Sequence, residues 1–348
     1  MKKWHYPFLA FLIIGTILIL SKSRQAANPE YHTAQGLVFG TRYNITYLYN
    51  DDLKPDVEHT LALVDSALSM FNSESTISAV NNSESILVTD TMFLKVYRRA
   101  MEISDWTDGA FDITVAPAVN AWGFGFKHAE SIKQTTIDSL IEITGYRKIH
   151  EQDGLITKDD PRIMLDCSAI AKGFGSDMVA AMFHSKGIND FMVEIGGEIV
   201  LSGHNPKGKN WNIGISKPVD DSLSINNELQ TVISVTDIAM ATSGNYRNFY
   251  VKDGRKYAHT IDPHTCMPVS HNLLSATVFA ADCATADALA TSMMVMGLDS
   301  AQALLSRHPE IQAYFIYQDS AGNTAAIGTF PIAASDLFAG NEGYAQIQ

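Results

Sequence analysis

The chain has 348 residues, 46% of them hydrophobic, and a formal net charge of -13. This composition is that of a globular protein with a sizeable core. The acidic balance argues against a nucleic-acid partner, because binding a phosphate backbone requires a basic surface. The three cysteines are scattered without C-x-x-C spacing, which excludes a disulfide framework and a zinc ribbon and leaves room for a single bridge.

The N-terminus has the pattern of an export signal. Lys2 and Lys3 precede an uncharged apolar run, Pro7–Leu20, as in the first two regions of a signal peptide. The pattern leaves open whether the segment is cleaved or is retained as an anchor over residues 4–20. It predicts an exported, periplasmic protein, held at the bacterial inner membrane if the anchor is retained. We assign residues 1–35 to this segment and a polar linker, and residues 36–348 to the folded domain.

Periodicity in the first half predicts one interrupted strand and several helices. Leu37–Tyr49 alternates and is rich in Tyr, Thr and Ile, with an interruption at Gly40-Thr41. The polar stretch 71–81 is typical of a loop. Helical spacing of apolar residues predicts helices over Val57–Met70, Thr91–Thr107 and Ile132–Ile143.

The second half is richer in predicted strands, so the whole chain is expected to be α+β. The small residues of Ala239–Gly244 predict a turn. Helices are expected over Ala284–Met296, which ends at Gly297, and over Ala301–His308. Strands are predicted at Phe191–Ile195, Trp211–Ile215, Gln230–Val235, Tyr257–Pro263 and Ser275–Phe279, and a final hairpin at Ile311–Tyr317 and Thr324–Gly328.

One motif joins a predicted strand to a predicted helix. Arg162–Leu165 is apolar and strand-like, and the helical run that follows continues to Phe183. Ser168 is the expected N-cap of that helix. A turn of small residues before a helix presents free N–H groups that suit a phosphate, and Asp166 at its edge would add a metal, ribose or ring contact. The alternative is an ordinary strand-to-helix turn.

Two further patterns are weak alone. Asp287 and Thr291 lie four residues apart on a predicted helix and so share one face. Their oxygens suit a hard cation such as Mg²⁺, although an Asp near a helix start and a buried Thr would also explain them. His259 stands two residues before Ile261-Asp-Pro263, where a histidine is either structural or catalytic.

Taken in order, these patterns form a family signature. The blocks are Gly40-Thr41, Phe71 through Ser78 with Asn81, Gly109 through Thr114, Trp122 through Phe124, Asp166 through Gly173, Gly196 through Glu198, Ala241 through Gly244, His259 through Pro263, and Ala286 through Thr291. Over about residues 37–330 the chain resembles the ApbE family of FAD:protein FMN transferases. The resemblance implies two closely packed lobes with a ligand cleft between them.

The resemblance also implies the chemistry and the metal. Family members bind FAD and Mg²⁺, transfer the FMN part to a Thr or Ser hydroxyl of a carrier protein, and release AMP. The implied metal ligands are Asp287, Thr291 and Ala169, the last through its backbone carbonyl because alanine has no side-chain oxygen. Ala290 stands where some members have another carboxylate, so fewer protein ligands are expected here.

The implied flavin site draws on several segments. Phe71 matches an aromatic residue that stacks on the flavin, and Phe39 stands where many members have Met. His259 resembles the residue at the reaction centre and is expected to act as general base toward the carrier hydroxyl. The remaining flavin-site matches are Ala110, Phe111, Asp112, Asp166, Lys172 and Ile261.

One departure concerns a loop, and two alternatives concern the function. Many members have Gly where this chain has Cys266, so that loop is either strained or different. Attack by water in the same site would make the protein an FAD pyrophosphatase that releases FMN and AMP. A non-catalytic exported flavin-binding protein is the third possibility, and Asp287, Thr291 and His259 count against it.

Overall fold

The computed structural model describes residues 29–124, 132–218, 229–245, 249–252, 255–329 and 344–346. The predicted N-terminal export signal or anchor lies outside these residues. The helices are α1 Lys54–Leu68, α2 Thr76–Asn81, α3 Thr91–Trp106, α4 Ala116–Ala121, α5 Gln134–Ile143, α6 Ser168–Ser185 and α7 Cys283–Arg307, with 3-10 turns at Ile113–Val115 and Tyr146–Lys148. A kink at Gly297, with φ 76, divides α7 into two helical parts, as the sequence predicts.

The strands make one large sheet and several small ones. They are β1 Glu30–Val38, β2 Thr41–Tyr49, β3 Ser85–Leu87, β4 Ile149–Gln152, β5 Leu155–Lys158, β6 Phe191–Ile195, β7 Glu198–Ser202, β8 Trp211–Ser216, β9 Leu229–Val235, β10 Ile238–Gly244, β11 Phe249–Lys252, β12 Arg255–Ala258, β13 Ile261–Asp262, β14 Met267–Pro268, β15 Leu273–Ala280, β16 Gln312–Gln318, β17 Thr324–Gly328 and β18 Tyr344–Gln346.

The large sheet has nine strands in the order β1-β2-β6-β7-β10-β15-β16-β17-β18. Neighbours are antiparallel except β17 and β18, which are parallel. Tyr43 pairs with Ile195, so the β1–β2 turn and the β6–β7 turn lie at the same end of the sheet. Helices together with a largely antiparallel sheet confirm the predicted α+β class.

Helices cover one face of this sheet and a hairpin covers the other. Val179 and Phe183 of α6 pack on the β1–β2–β6 part, and α7 packs on the β10–β15–β16 part. The hairpin β8–β9 packs on the opposite face through residues such as Trp211 and Ile233. By length and composition α7 would also suit a membrane span, but 56% of its most apolar window is buried inside the protein, as in a core helix.

A smaller apolar cluster lies apart from this layered core. It contains Ala118 of α4, Ile137 and Leu140 of α5, and Ile261 with Cys266 from the loop around β13. The two lobes with a ligand cleft between them stay a prediction.

The structure corrects several predicted elements. The strand β1 begins at Glu30, inside the predicted linker, and is a polar edge strand in which only Ala34 is fully buried. Residues 71–81 were predicted as a loop and contain α2, which Ser75 caps by accepting the N–H of Ser78. Ala239–Gly244 is part of β10 rather than a turn, Arg162–Leu165 is not a strand, and the segment 257–263 is divided between β12 and β13.

Candidate active site

A cavity of about 1290 Å³ opens at the end of the large sheet where the β1–β2 and β6–β7 turns lie. It exceeds the roughly 300–1,000 Å³ typical of sites for drug-sized ligands, so it suits a ligand of dinucleotide size. Its wall includes most of the predicted site residues, namely Phe39, Ala110, Phe111, Asp112, Asp166, Ala169, Lys172, His259, Ile261, Asp287 and Thr291.

Phe39 lies in the cavity wall and Phe71 does not, although both were predicted to contact the flavin. Phe71 is 74% exposed and is absent from the cavity wall. Phe39 has φ 51 and is followed by Gly40 with φ 73, the positive pair that a two-residue hairpin turn requires. A Cβ at Gly175 would lie 2.8 Å from the Phe39 ring, so glycine at that position makes room for the ring.

The predicted metal ligands come together where α6 approaches α7. Asp287 is 2% exposed, and its Oδ2 accepts the N–H of Gly173 over 3.0 Å. In a regular helix that N–H points toward the carbonyl of Ala169, so Asp287 approaches the part of α6 that carries the third predicted ligand. Thr291, one turn after Asp287, has its Oγ1 3.1 Å from Oγ of Ser243 on β10.

This donor set fits a hard cation. Carboxylate, hydroxyl and carbonyl oxygens are the groups that Mg²⁺ prefers, and Mg²⁺ binds through few protein ligands while it keeps waters and substrate phosphates. Among the described residues no cluster of three or more His, Cys, Asp or Glu side chains could hold a metal.

Lys172 and Asp287 form a buried cluster of charges with Glu198, a residue that the sequence analysis did not single out. Lys172 Nζ is 2.7 Å from Oε1 of Glu198 and 3.6 Å from Oδ1 of Asp287. Burial by itself would lower the pKa of Lys172, but the carboxylates of Asp287 and Glu198 raise it on balance. Burial raises the pKa of Glu198, against the effect of Lys172. The only sequence signal for Glu198 was its place after Gly196-Gly197 in a family block.

The start of α6 differs from the prediction. Ser168 is the first helical residue and not the cap, which Cys167 occupies without a side-chain capping bond. Instead, Oδ1 of Asp166 accepts the N–H of Ser168 over 2.7 Å, and the Asp166 N–H donates to the carbonyl of Ile113 over 2.7 Å. Burial raises the pKa of Asp166. Asp166 therefore organises this turn as well as lining the cavity.

Asp112 has a structural task in the same wall. Its Oδ1 accepts the N–H and the hydroxyl of Thr114 over 2.7 and 2.6 Å, and its Oδ2 accepts the N–H of Tyr146 over 2.7 Å. Burial raises the pKa of Asp112, while these bonds oppose the rise. Asp112 thus fixes the loop that places Ala110 and Phe111 against the cavity.

His259 also lies in the cavity wall, with its ring edge-on to Phe124 at 6.4 Å between centroids. Beyond it, Cys266 has φ 52 and a fully buried side chain. Its carbonyl accepts the indole N–H of Trp122 over 2.7 Å. The expected left-handed, strained conformation at Cys266 is therefore present, and packing around the thiol offsets it.

The close approach of α6 and α7 gives a testable role to Gly173. A Cβ there would lie 2.2 Å from the Cys283 carbonyl oxygen and 2.9 Å from the Ala284 nitrogen. These are backbone atoms, so Gly173→Ala must push the helices apart. We expect it to lower the free energy of unfolding in urea by about 1–3 kcal/mol. We also expect it to weaken the binding of Mn²⁺, which accepts the same oxygen ligands as Mg²⁺, because the contact from Gly173 to Asp287 lengthens.

Gly187, just after α6, is the matched control. It has φ 77 and nothing within 4 Å of an added Cβ. We expect Gly187→Ala to cost roughly 1–2 kcal/mol of backbone strain and to leave Mn²⁺ binding unchanged. Wild-type stability and Mn²⁺ affinity in Gly173→Ala would show that the helices tolerate separation.

A second prediction concerns Asp177 on α6, which accepts the N–H groups of Cys283 and Ala284 over 2.8 and 2.9 Å. Burial raises its pKa to about 7, although these bonds oppose the rise. The folded state therefore holds a proton that the unfolded state has lost between the ordinary pKa of 3.8 and about 7. In that range stability falls as the pH rises.

We expect Asp177→Asn to reduce the decrease in Tm between about pH 4 and pH 7, because asparagine has no proton to lose in that range. Thermal denaturation followed by circular dichroism at several pH values measures the slope. A slope equal to that of the wild type would show that another group causes the pH dependence.

Comparison with known proteins identifies the family of the chain. The family model described as the ApbE family matches residues 39–315. The FAD:protein FMN transferase of Vibrio cholerae is 36% identical over 314 residues, which cover 87% of this chain and 90% of the relative. The Haemophilus influenzae protein of the same name is 32% identical over 327 residues, covering 89% and 93%.

Solved structures agree as well. The flavin transferase ApbE from Vibrio cholerae superposes with a TM-score of 0.77 at 36% identity, covering 86% of this chain and 97% of that structure. The apo Pseudomonas stutzeri flavinyl transferase ApbE gives a TM-score of 0.78 at 28% identity, covering 90% and 98%. Because the family model, the sequences of the relatives and the fold all match, the chain belongs to the ApbE family.

Proposed function

We propose that this chain is an FAD:protein FMN transferase, which moves the FMN part of FAD onto a Thr or Ser hydroxyl of a carrier protein and releases AMP. The observation that carries the proposal is the meeting of Asp287, Thr291, Lys172 and His259 in one cavity of dinucleotide size. Membership of the ApbE family and the activity for which its relatives are named support the same function.

The reaction is a displacement at phosphorus. The carrier hydroxyl oxygen forms a bond to the FMN-side phosphorus of FAD, and the bond from that phosphorus to the bridging oxygen breaks. AMP leaves with the bridging oxygen. We assign the hydroxyl proton to His259, which takes it as general base and then releases it to the AMP phosphate or to water.

The charged residues act on the pyrophosphate. Lys172 is 28% exposed and presents its ammonium to the cavity, where it offsets phosphate charge. Asp287, Thr291 and the Ala169 carbonyl would hold Mg²⁺, which would supply Lewis-acid neutralisation of the charge that develops on the phosphate oxygens. The acidic wall makes such a cation important, since Asp112, Asp166, Glu194, Glu198 and Asp287 all line the cavity with Lys172.

The flavin would lie against the apolar part of the wall. Phe39, Phe111 and Ile261 give it an apolar surface, and Ala110 allows a close backbone approach. Phe71 lies outside the wall and is largely exposed, so the predicted stacking would require FAD to extend beyond the cavity or the loop that carries Phe71 to move.

The proposed location is the periplasm. The lysines and apolar run at the N-terminus are the support for export, and residues 4–20 would hold the protein at the inner membrane if they are retained. The acceptor would then be an exported or membrane-attached carrier protein.

Mass spectrometry of a flavin-carrier domain with an acceptor threonine tests the proposal. The purified protein, the carrier, FAD and Mg²⁺ are incubated together, and a parallel sample contains EDTA. We expect the carrier mass to rise by that of FMN less one water, only with Mg²⁺, and not in a carrier whose acceptor Thr is replaced by Val. An unmodified carrier together with AMP and free FMN would instead indicate a pyrophosphatase.

A further inference from the structure

Two buried carboxylates share one ammonium in the cavity wall. Glu198 is 3% exposed and Asp287 is 2% exposed. Lys172 Nζ lies 2.7 Å from Glu198 Oε1 but 3.6 Å from Asp287 Oδ1. The ammonium thus makes a full hydrogen-bonded ion pair with Glu198 and only a longer contact with Asp287.

The fold aims Glu198 at this position. Its backbone carbonyl accepts the hydroxyl of Ser176 on α6 over 3.1 Å. Gly196 and Gly197, with φ 65 and 108, form the turn just before it. Glu198 therefore faces Lys172 across a close junction of β7 and α6.

The second carboxylate oxygen of Glu198 is buried at a cost in stability. Oε2 is buried and has no hydrogen-bond partner among the residues that the structure describes. An unpaired buried carboxylate oxygen costs stability, and a carboxylate retained at such a cost is common at functional sites.

We propose that Glu198 is a positioning residue that holds the Lys172 ammonium away from Asp287, so that the Asp287 carboxylate stays available to a divalent cation. The inference rests on the proposed function, in which Asp287 is the charged ligand among the three predicted. If Lys172 closed on Asp287, its positive charge would occupy the carboxylate that the cation needs. If the charge of Glu198 is removed, Asp287 becomes the charged carboxylate of this pair that can still attract the Lys172 ammonium.

The test is Mn²⁺ binding to the purified full chain without FAD, measured by electron paramagnetic resonance. Mn²⁺ accepts the same oxygen ligands as Mg²⁺. We expect Glu198→Gln to weaken Mn²⁺ binding roughly 10–100-fold, the usual effect of losing a residue that orients a metal ligand. Glu151→Gln is the matched control, because Glu151 also pairs with a cationic side chain, Arg98, over 2.9 Å but is absent from the cavity wall. We expect a change in Mn²⁺ affinity of less than about threefold, since Glu151 lies outside the site.

A double-mutant cycle separates positioning from a general charge effect. If Lys172 closes on Asp287 in Glu198→Gln, then Lys172→Met restores Mn²⁺ affinity in that background far more than it raises affinity in the wild type. Additive effects of the two substitutions would overturn the proposal, and so would wild-type affinity in Glu198→Gln.

Asp287→Ala distinguishes this proposal from the metal assignment itself. Loss of Mn²⁺ binding in Asp287→Ala, together with additive effects in the cycle, would refute the role of Glu198 and keep the metal site. Equal Mn²⁺ binding by the wild type and Asp287→Ala would refute the metal site, and the role of Glu198 with it.

Discussion

Replacing Asp287 by alanine is expected to lower kcat/KM for FMN transfer about 10²–10⁴-fold, because the charged ligand of the proposed Mg²⁺ site is lost and with it several kcal/mol of charge stabilisation. The carboxylate also accepts the Gly173 N–H over 3.0 Å, so Asp287→Ala leaves a buried donor unpaired. We expect this second effect to cost about 1–3 kcal/mol of stability. Carrier modification and urea denaturation measure the two effects separately.

Two further variants sharpen the result. Asp287→Asn keeps the size of the side chain and an acceptor for Gly173, so it should lose activity like the alanine variant while it retains stability. Asp282→Asn removes a charge from the same helix outside the cavity wall, where Asp282 caps α7 by accepting the Thr285 N–H. Asparagine caps helices well, and we expect activity close to that of the wild type. Wild-type kcat/KM in Asp287→Asn would contradict the metal assignment.

Replacing His259 by alanine is expected to lower kcat for carrier modification about 10²–10⁴-fold, the usual contribution of a positioned general base. FAD affinity should change little, because the imidazole would act on the carrier hydroxyl and not on the flavin. Stopped-flow transfer rates and flavin fluorescence titration measure the two quantities. His150→Ala is the control, since His150 lies on β4 paired with Asp159 and is absent from the cavity wall.

The same variant tests whether His259 acts on the carrier hydroxyl or in a step that transfer and hydrolysis share. If His259 serves the carrier hydroxyl, carrier modification should fall much more than the release of AMP in the absence of carrier. Equal losses in both reactions would place His259 in a step that is common to transfer and hydrolysis. Full transfer activity in His259→Ala would show that another group accepts the proton.

Amphipathic helices and strands with clear alternation were predictable from local pattern. The helix α3 was expected at Thr91–Thr107 and lies at Thr91–Trp106, because its apolar residues repeat at helical spacing and Asp90 caps its start. The final hairpin was also confirmed. In these segments the signal comes from residues close in sequence, which propensity and periodicity capture.

The strand β10 was mispredicted as a turn for a tertiary reason. Ala239–Gly244 contains small residues that are poor strand formers in isolation, yet β10 pairs with β7 and β15 inside the large sheet. Ala241 lies in the same apolar cluster as Ala286 and Ala290 of α7. Small residues there allow the helix to pack closely on the sheet, and that requirement is invisible in a local window.

The edge strand β1 was missed for the opposite reason. It has one partner strand and one largely exposed face, so its polar residues resemble those of a linker. The helix α2, with six residues, is too short to show a period.

The sequence alone determined the family, the α+β class and the identity of most cavity residues. Each family block is a run of neighbouring residues, so it can be recognised in the sequence without the structure. The spacing of Asp287 and Thr291 also determined that the two share a helix face. Only the tertiary structure decided that Glu198 meets Lys172, that Gly173 donates to Asp287, and that Phe71 stays outside the cavity wall. Charge pairing and burial depend on distances between atoms on different elements, and those distances are set by how helices and sheet pack together.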